Sequence, residues 1–239
     1  MSQAEGVIAS AAKGFSISKY TNYVESYQDK VLAVNPNGMV IPFLSNHDMD
    51  RIAGTFVTDG NMRLAANLYL LCTGSPVIYY GEEIGMRGSR GSANTDANRR
   101  LAMLWGDGDL VSDPIGTTYS EKNQIQTTVS QQSKDKDSLL NYYRDLISIR
   151  HNYPAIARGD YRSATTSEKN FGGFLIEYNG ERIGLFHNTS TEEIIFDLAE
   201  IKGIDGHIFT ELCEYIGVGE AKLNGTVLTI GGQTSVIVK

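Results

Sequence analysis

Two short apolar runs constrain this chain more than any other feature. Met39-Val40-Ile41-Pro42-Phe43-Leu44-Ser45 and Pro76-Val77-Ile78-Tyr79-Tyr80 show no alternation between apolar and polar positions. A strand with one face in water alternates, whereas a strand covered on both faces, as in a parallel sheet, does not. Between the runs lies a helical stretch, roughly Asn61 to Thr73, which Thr58 or Asp59 can cap and Gly74 can end. Ahead of the first run, Tyr20, Val24, Tyr27 and Val31 recur at helical spacing, and Asn35-Pro36-Asn37-Gly38 stops that helix. Helix, strand, helix, strand is the order of βα units. Two parallel strands that need cover on both faces do not make a stable sheet alone, so the runs read as part of a larger closed sheet.

A Gly-rich loop follows, from Gly81 to about Gly116, longer than connections without a functional role usually are. Asp137 can cap a third helix whose stripe is Leu139, Tyr142, Leu146 and Ile149, and Asn152-Tyr153-Pro154 ends it. After Gly159 the pattern changes. Phe174–Tyr178, Ile183–Phe186, Ile194–Phe196 and Thr226–Ile230 read as short strands, with Asn179-Gly180 as a hairpin turn between the first two. The fold class is therefore α/β plus all-β, with residues 1–158 forming βα units and residues 159–239 an antiparallel β-domain.

Composition excludes some partners. The net charge of −7 argues against nucleic acid, which demands a basic surface. No membrane span is expected, because the longest apolar stretch, around Leu64–Cys72, is interrupted by Asn67 and falls far short of the ~20 residues a span needs. Met1-Ser2-Gln3-Ala4-Glu5-Gly6 has neither the basic nor the apolar region of a signal peptide. Cys72 and Cys213 are the only cysteines, lack metal-ligand spacing, and read as reduced buried thiols.

Chemistry concentrates where the first run ends. Asn46-His47-Asp48 follows it directly, and in a (β/α)8 barrel the C-terminal ends of strands carry the active site. The residues alone leave two readings open, an active-site cluster or an Asp that caps the next helix beside a backbone-bonded His. Glu82-Glu83 also lies beyond a strand, but sequence neighbours there point to opposite faces and cannot flank one bond, so these carboxylates read as braces.

Phe43-Leu44-Ser45-Asn46-His47-Asp48, with Arg51 three residues on, resembles the strand-7 motif of glycoside hydrolase family 13, the α-amylase family. Gly74-Ser75-Pro76-Val77-Ile78-Tyr79-Tyr80-Gly81-Glu82-Glu83-Ile84-Gly85-Met86 resembles that family's strand 8 and following loop. Asp96-Ala97-Asn98-Arg99-Arg100-Leu101-Ala102-Met103-Leu104-Trp105 is similar to its Asp-Glu-Asn-x-Arg-x-Pro-Met-x-Trp segment, and Ser138 through Arg150 to its last barrel helix. The motifs follow the family's order over nearly the whole chain. They imply the last two βα units of a TIM barrel, from helix 6 to helix 8, followed by a small antiparallel β-sandwich.

The resemblance also implies roles. Asp48 corresponds to the carboxylate that holds the sugar in the reactive subsite through its 2- and 3-hydroxyls, a contact that tightens toward the oxocarbenium-like transition state. His47 matches a substrate-binding His. Asp96 and Arg100 match a pair that binds glucose on the non-reducing side of the cleaved bond, with a loop-stabilising salt bridge as the other reading. Tyr80 is the candidate stacking platform. Asn46 is expected to orient the turn and Arg51 to brace the strand end by ion pairing. Two departures stand out: Ala97 where many relatives have Glu, and Ala102 where many have Pro.

Retaining glycosidases need a nucleophile and an acid/base about 5 Å apart. The family supplies them from strands 4 and 5, and nothing here resembles its Gly-Phe-Arg-x-Asp motif or its strand-5 Glu. The strand-3 segment that carries the family's calcium site is also without a counterpart, so no metal or cofactor is expected in this chain. The expected parent is an enzyme acting on α-glucans such as starch and maltooligosaccharides. The expected partners are that glucan and an N-terminal barrel segment, and the chain alone is expected to be inactive. A non-catalytic carbohydrate-binding module and a piece of an α-glucan transferase are the alternatives.

Overall fold

The computed structural model describes residues 6–56, 58–92, 94–106, 108, 111–119, 128–201 and 206–239. Residues 1–5, where the sequence lacks a leader pattern, fall outside that range, as does part of the loop between Gly81 and Gly116.

Among the described residues six helices come first: α1 (Val7–Ala12), α2 (Ile17–Val34), α3 (Asp59–Leu70), α4 (Val129–Gln132), α5 (Leu139–Asn152) and α6 (Pro154–Arg158). The cap of α3 is Thr58, whose hydroxyl accepts from Asn61 N at 3.2 Å. Asp59 instead sits in the first turn, where its charge suits the helix N-terminus, and pairs with Arg63 one turn on. The cap of α5 is Ser138 rather than Asp137: its hydroxyl accepts from Asn141 N at 3.2 Å. Asp137 lies one residue too early for that role, and its own N–H is taken by Asp135.

The end of α3 fixes how the two apolar runs meet. Its last carbonyls have no partner within the helix, and the Arg150 guanidinium from α5 donates to Leu70 O at 2.8 Å, Cys72 O at 2.6 Å and Gly74 O. Gly74 has φ +88°, and a Cβ there would stand 2.1 Å from Val40 O. Only glycine allows this approach, which puts segment 76–80 beside segment 39–45.

The two segments run parallel. Val40 O accepts from Ser75 N and Pro42 O from Val77 N, each at 2.9 Å. A parallel ladder would return a bond from residue 42 to the Ser75 carbonyl, but proline has no N–H, so the pair does not close into regular strands. The expected cover on both faces is also missing. Met39, Ile41, Phe43 and Val77 are 56%, 61%, 44% and 50% exposed, whereas Leu44 and Ser45 are buried. One face is open because no described segment packs against it.

Among the described residues eight strands follow: β1 (Asp160–Ala164), β2 (Phe171–Tyr178), β3 (Glu181–Asn188), β4 (Ile194–Asp197), β5 (Leu212–Gly217), β6 (Ala221–Asn224), β7 (Val227–Ile230) and β8 (Thr234–Val238). They form a five-stranded sheet, β1-β2-β3-β8-β5, and a three-stranded sheet, β4-β7-β6, with every pairing antiparallel. Asn179 (φ +52°) and Gly180 (φ +81°) make the β2–β3 turn, the backbone a two-residue type I′ hairpin needs.

The five-stranded sheet is covered on both faces. Phe174, Ile176, Leu185 and Ile237 pack with Tyr20, Leu64 and Leu68 of the helices, while Leu175, Phe186, Val236 and Val238 pack with Phe196, Leu228 and Ile230 of the smaller sheet. The helices and the large sheet thus share one core. Polar side chains stitch it. Gln28 Nε2 donates to Thr73 Oγ1 and Gly159 O, and its Oε1 accepts from Tyr161 N. Asn67 Nδ2 donates to Ser235 Oγ and Ile216 O while Oδ1 accepts from Tyr142 OH at 2.6 Å. Among the two cysteines, Cys72 is buried, with its thiol pushed up to about 11 by burial, but Cys213 is only half-buried and does not fit the buried-thiol expectation. Among the described residues no helix is long and apolar enough to cross a membrane.

Asn67→Leu should lower stability by about 2–4 kcal/mol, because a side chain of similar size strands Tyr142 OH and Ile216 O, at ~1–3 kcal/mol for each group left unsatisfied, while Ser235 Oγ keeps His187 Nδ1. Urea unfolding monitored by tryptophan fluorescence and circular dichroism measures it, and a loss below about 1 kcal/mol would contradict this account of the helix–sheet junction.

Candidate functional site

The turn after segment 39–45 is shaped by its own side chains. Asn46 Oδ1 accepts from Asp48 N at 2.9 Å, and Met49 N donates to Asn46 O. This local bond turns His47 and Asp48 outward, and both are exposed. The helix-cap reading of Asp48 does not hold, since the short 3-10 turn that follows, Ile52–Gly54, has no side-chain cap.

Around the turn, charges from two loops converge. Asp48 Oδ2 lies 3.3 Å from His47 Nε2 and Oδ1 lies 3.5 Å from Arg100 Nη2. Arg100 Nη2 also lies 3.9 Å from Asp96 Oδ2, so it stands between the two carboxylates. Asp96 opens a 3-10 turn, Asp96–Arg99, capped by Thr95, and its Oδ1 meets Arg99 at 3.3 Å and Arg90 at 3.2 Å. His47, Asp48, Asp96 and Arg100 therefore form one exposed polar cluster beyond the ends of the parallel segments.

Tyr80 and Arg51 sit beneath this cluster. The Tyr80 hydroxyl donates to Leu101 O at 2.7 Å, tying the segment to the Asp96 loop. Arg51, 2% exposed, donates from Nη1 to Tyr80 O at 2.6 Å, and its guanidinium carbon lies 4.7 Å and 4.6 Å from the ring centres of Tyr79 and Tyr80. The expected ion pair is absent among the described residues: Arg51 braces the strand end through a carbonyl and two aromatic faces. Glu83 feels the Arg51 charge without forming an ion pair, and Arg51 Nε and Nη2 are buried without a hydrogen-bond partner among the described residues. Gly81 has φ +84°, and a Cβ there would stand 2.4 Å from Met86 Sδ and 3.0 Å from Arg51 Nη1, which is why this corner is glycine.

Glu82 is the deepest brace. It is 4% exposed, with Oε2 accepting from Ser45 Oγ at 3.0 Å and Oε1 from Tyr69 OH at 2.6 Å and Tyr143 OH at 3.2 Å. Burial raises its carboxyl to about 7, partly offset by those hydroxyl donors. Glu83, its neighbour on the Glu82–Ile84 turn, has its carboxyl raised by burial as well. Ala102, where relatives carry Pro, donates its N–H to Asp113 Oδ1 at 2.9 Å, a bond proline could not make. Trp105 is exposed. Among the described residues no three His, Cys, Asp or Glu side chains are grouped to hold a metal ion.

The sequence model of the family described as "Alpha amylase, catalytic domain" matches residues 3–159. The chain belongs to the α-amylase family. It is 30% identical to Alpha-amylase SusG of Bacteroides thetaiotaomicron over 226 residues, covering 90% of this chain and 31% of that protein. It is 25% identical to a 4-alpha-glucanotransferase of Thermotoga maritima, covering 75% of this chain and 41% of that protein. Among solved structures, Eubacterium rectale Amy13B superposes with a TM-score of 0.85 at 28% identity, over 100% of this chain and 46% of that one. This α-amylase-family chain thus spans between about a third and a half of these three relatives.

Sequence reasoning missed Arg99 and Asp50. Arg99, with its side chain 8% exposed, bonds Asp50 Oδ1 at 2.7 Å and Asp48 O at 3.0 Å in addition to Asp96. Its place next to Arg100 hid it, because two adjacent arginines carry no signal about which one turns inward.

Glu82 gives the site a pH signature. A carboxyl near 7 in the folded chain and near 4.5 when unfolded binds more protons folded than unfolded between those values, so its ionisation removes stability as pH rises through that window, by up to roughly 3 kcal/mol. Glu82→Gln keeps the hydrogen-bonding shape without the titration. Wild type should lose stability relative to Glu82→Gln between pH 5 and pH 8 in urea titrations, and a relative gain would contradict the assignment.

Proposed function

We propose that this chain is the C-terminal part of an α-glucan-active glycosidase of the α-amylase family, acting with retention. On this reading residues 1–158 are the last part of a (β/α)8 barrel, helix 6 to helix 8, with segments 39–45 and 76–80 as its last two strands. Residues 159–239 are its C-terminal β-sandwich. The parallel bonding of the two segments, the catalytic-domain match and the open apolar face at Met39, Ile41 and Phe43 support it.

The observation that carries the functional reading is the convergence of Asp48 and Asp96 on Arg100 beyond the ends of those segments. An exposed carboxylate oriented by Asn46, with a His beside it, suits two neighbouring sugar hydroxyls. Asp48 would grip the 2- and 3-hydroxyls of the ring undergoing reaction, His47 would donate to the same sugar, and Asp96 with Arg100 would hold the next glucose. Carboxylate and guanidinium both make strong charge-assisted bonds to hydroxyls. Tyr80 is a weaker candidate for stacking, since its hydroxyl is committed to Leu101. The nucleophile and acid/base belong to a barrel segment outside this sequence, and the chain itself needs no cofactor. Transfer to a sugar acceptor instead of water is the second reading, favoured by the relative named 4-alpha-glucanotransferase.

The purified chain should not turn over starch, maltooligosaccharides or aryl α-glucosides, since loss of the proton donor alone removes ~10²–10⁴-fold. Turnover that survives repurification and vanishes in Asp48→Ala would refute the assignment of the chemistry to another segment.

In a full-length enzyme carrying this segment, Asp48→Asn should depress kcat by the equivalent of several kcal/mol, comparable to the ~3–4 kcal/mol of a lost oxyanion-hole donor, with a smaller change in KM. Asp96→Ala should chiefly impair longer substrates. Steady-state kinetics on a maltooligosaccharide series decide it; a mild effect of Asp48→Asn confined to KM would remove Asp48 from the reacting subsite.

A further inference from the structure

The buried guanidinium of Arg99 is the least expected feature of the cluster. Its side chain reaches three acceptors on two segments: Asp50 Oδ1 at 2.7 Å, the main-chain oxygen of Asp48 at 3.0 Å, and Asp96 Oδ1 at 3.3 Å. Its own carbonyl accepts from Tyr79 OH at 3.2 Å, so its backbone is tied to segment 76–80. Asp50 is held from the far side as well, accepting from Arg90 N at 3.0 Å. Arg100, by contrast, is exposed and reaches only carboxylate oxygens, at 3.5 Å and 3.9 Å. One arginine of the pair faces the open cluster, and the other faces the framework behind it.

We propose that Arg99 is a positioning residue of this site, setting where Asp48 stands by gripping its carbonyl while tying Asp50 and Asp96 to one rigid fork. This deepens the glycosidase reading and rests on it. The planar guanidinium holds several acceptors in fixed directions, which a lysine ammonium cannot do. Asp48 makes no bond to a buried partner through its own side chain, so its location depends on the main chain of its turn. The turn has two restraints at this residue, Asn46 Oδ1 on the N–H and Arg99 on the carbonyl. Without Arg99, the carboxylates Asp48, Asp50 and Asp96 keep only Arg90, Arg100 and His47 as charged or polar partners among the described residues, and the turn is free to move away from the Asp96 loop.

The test has two arms. In the chain as it stands, hydrogen–deuterium exchange should quicken in Arg99→Met in peptides covering residues 46–51 and 88–92, while β2, β3 and β8 exchange as in wild type. In a full-length enzyme carrying this segment, Arg99→Met should lower kcat by about 10²-fold, the size of effect expected from a 1 Å misplacement, with KM changed by less than about threefold. Arg99→Lys should recover about a tenth to a half of the wild-type kcat, since one ammonium replaces only part of the fork. Asp50→Asn should act in the same direction and add little to Arg99→Met, and it carries the test if Arg99→Met does not fold. A lowered melting temperature with unchanged kcat in folded enzyme would make Arg99 a stabilising residue only and overturn the proposal, as would unchanged exchange in both peptides. An inactive unsubstituted enzyme would sink the glycosidase reading itself, and the exchange arm keeps that outcome distinct from a failure of Arg99.

Discussion

A carboxylate sealed inside a protein is costly unless hydrogen bonds replace its water, and this structure arranges three of them on Glu82. Ser45, Tyr69 and Tyr143 come from the first parallel segment, from α3 and from α5. Removing any of the three donors would leave a Glu82 oxygen short of partners inside the core, so the three elements are tied to one buried group. Ser45 is the residue immediately before Asn46-His47-Asp48. The turn that presents the polar cluster is therefore anchored from below by Glu82 and from the side by Arg51, which stacks on Tyr79 and Tyr80. Arg150 completes the frame by capping the end of α3 where the second segment begins.

Above this frame the cluster is balanced in charge. Asp48, Asp50 and Asp96 meet Arg90, Arg99 and Arg100. Exposed pairs of this kind contribute little to stability, ~0–1 kcal/mol each, so their arrangement is better explained by what it presents than by what it stabilises. The partly buried arginine is the exception, because it binds a main-chain carbonyl as well as carboxylates. The outer members of the cluster, His47, Asp48 and Arg100, leave donors and acceptors facing water.

The contact between helices and sheet is as extensive as a domain core. Tyr20, Leu64 and Leu68 interlock with Phe174, Ile176 and Leu185, and Asn67 reaches across to Ser235 and Ile216. The opposite side of the helical part is unfinished. Alternate residues of segment 39–45 present Met39, Ile41 and Phe43 to solvent, and the chain spans 46% of the Amy13B chain it superposes on. Apolar residues at every second position share one face of a segment, so what lies open here is a face and not only an edge.

Periodicity and turn chemistry made much of the fold legible. Helical spacing located α2, α3 and α5, the Asn179-Gly180 pair located the β2–β3 hairpin, and the unbroken apolar runs located the parallel segments. These are local signals, fixed by rules about backbone and side-chain direction that act within a few residues. Strands β1, β5, β6 and β8 were not legible because their burial depends on which sheet they join. β8 is buried throughout only because helices cover one side of it and β7 the other. The cluster was legible in part. His47, Asp48, Asp96 and Arg100 were singled out by motif resemblance, but the choice of Ser138 over Asp137 as a cap, the tyrosine-stacked bonding of Arg51 and the inward turn of Arg99 were not. Sequence by itself determined the kinds of element, because those follow from local chemistry, and its resemblance to a family singled out the candidate site residues. Tertiary structure alone decided which arginine is buried, which carboxyl is surrounded by hydroxyls and which apolar face stays open, because each depends on atoms brought together from positions tens to more than a hundred residues apart along the chain.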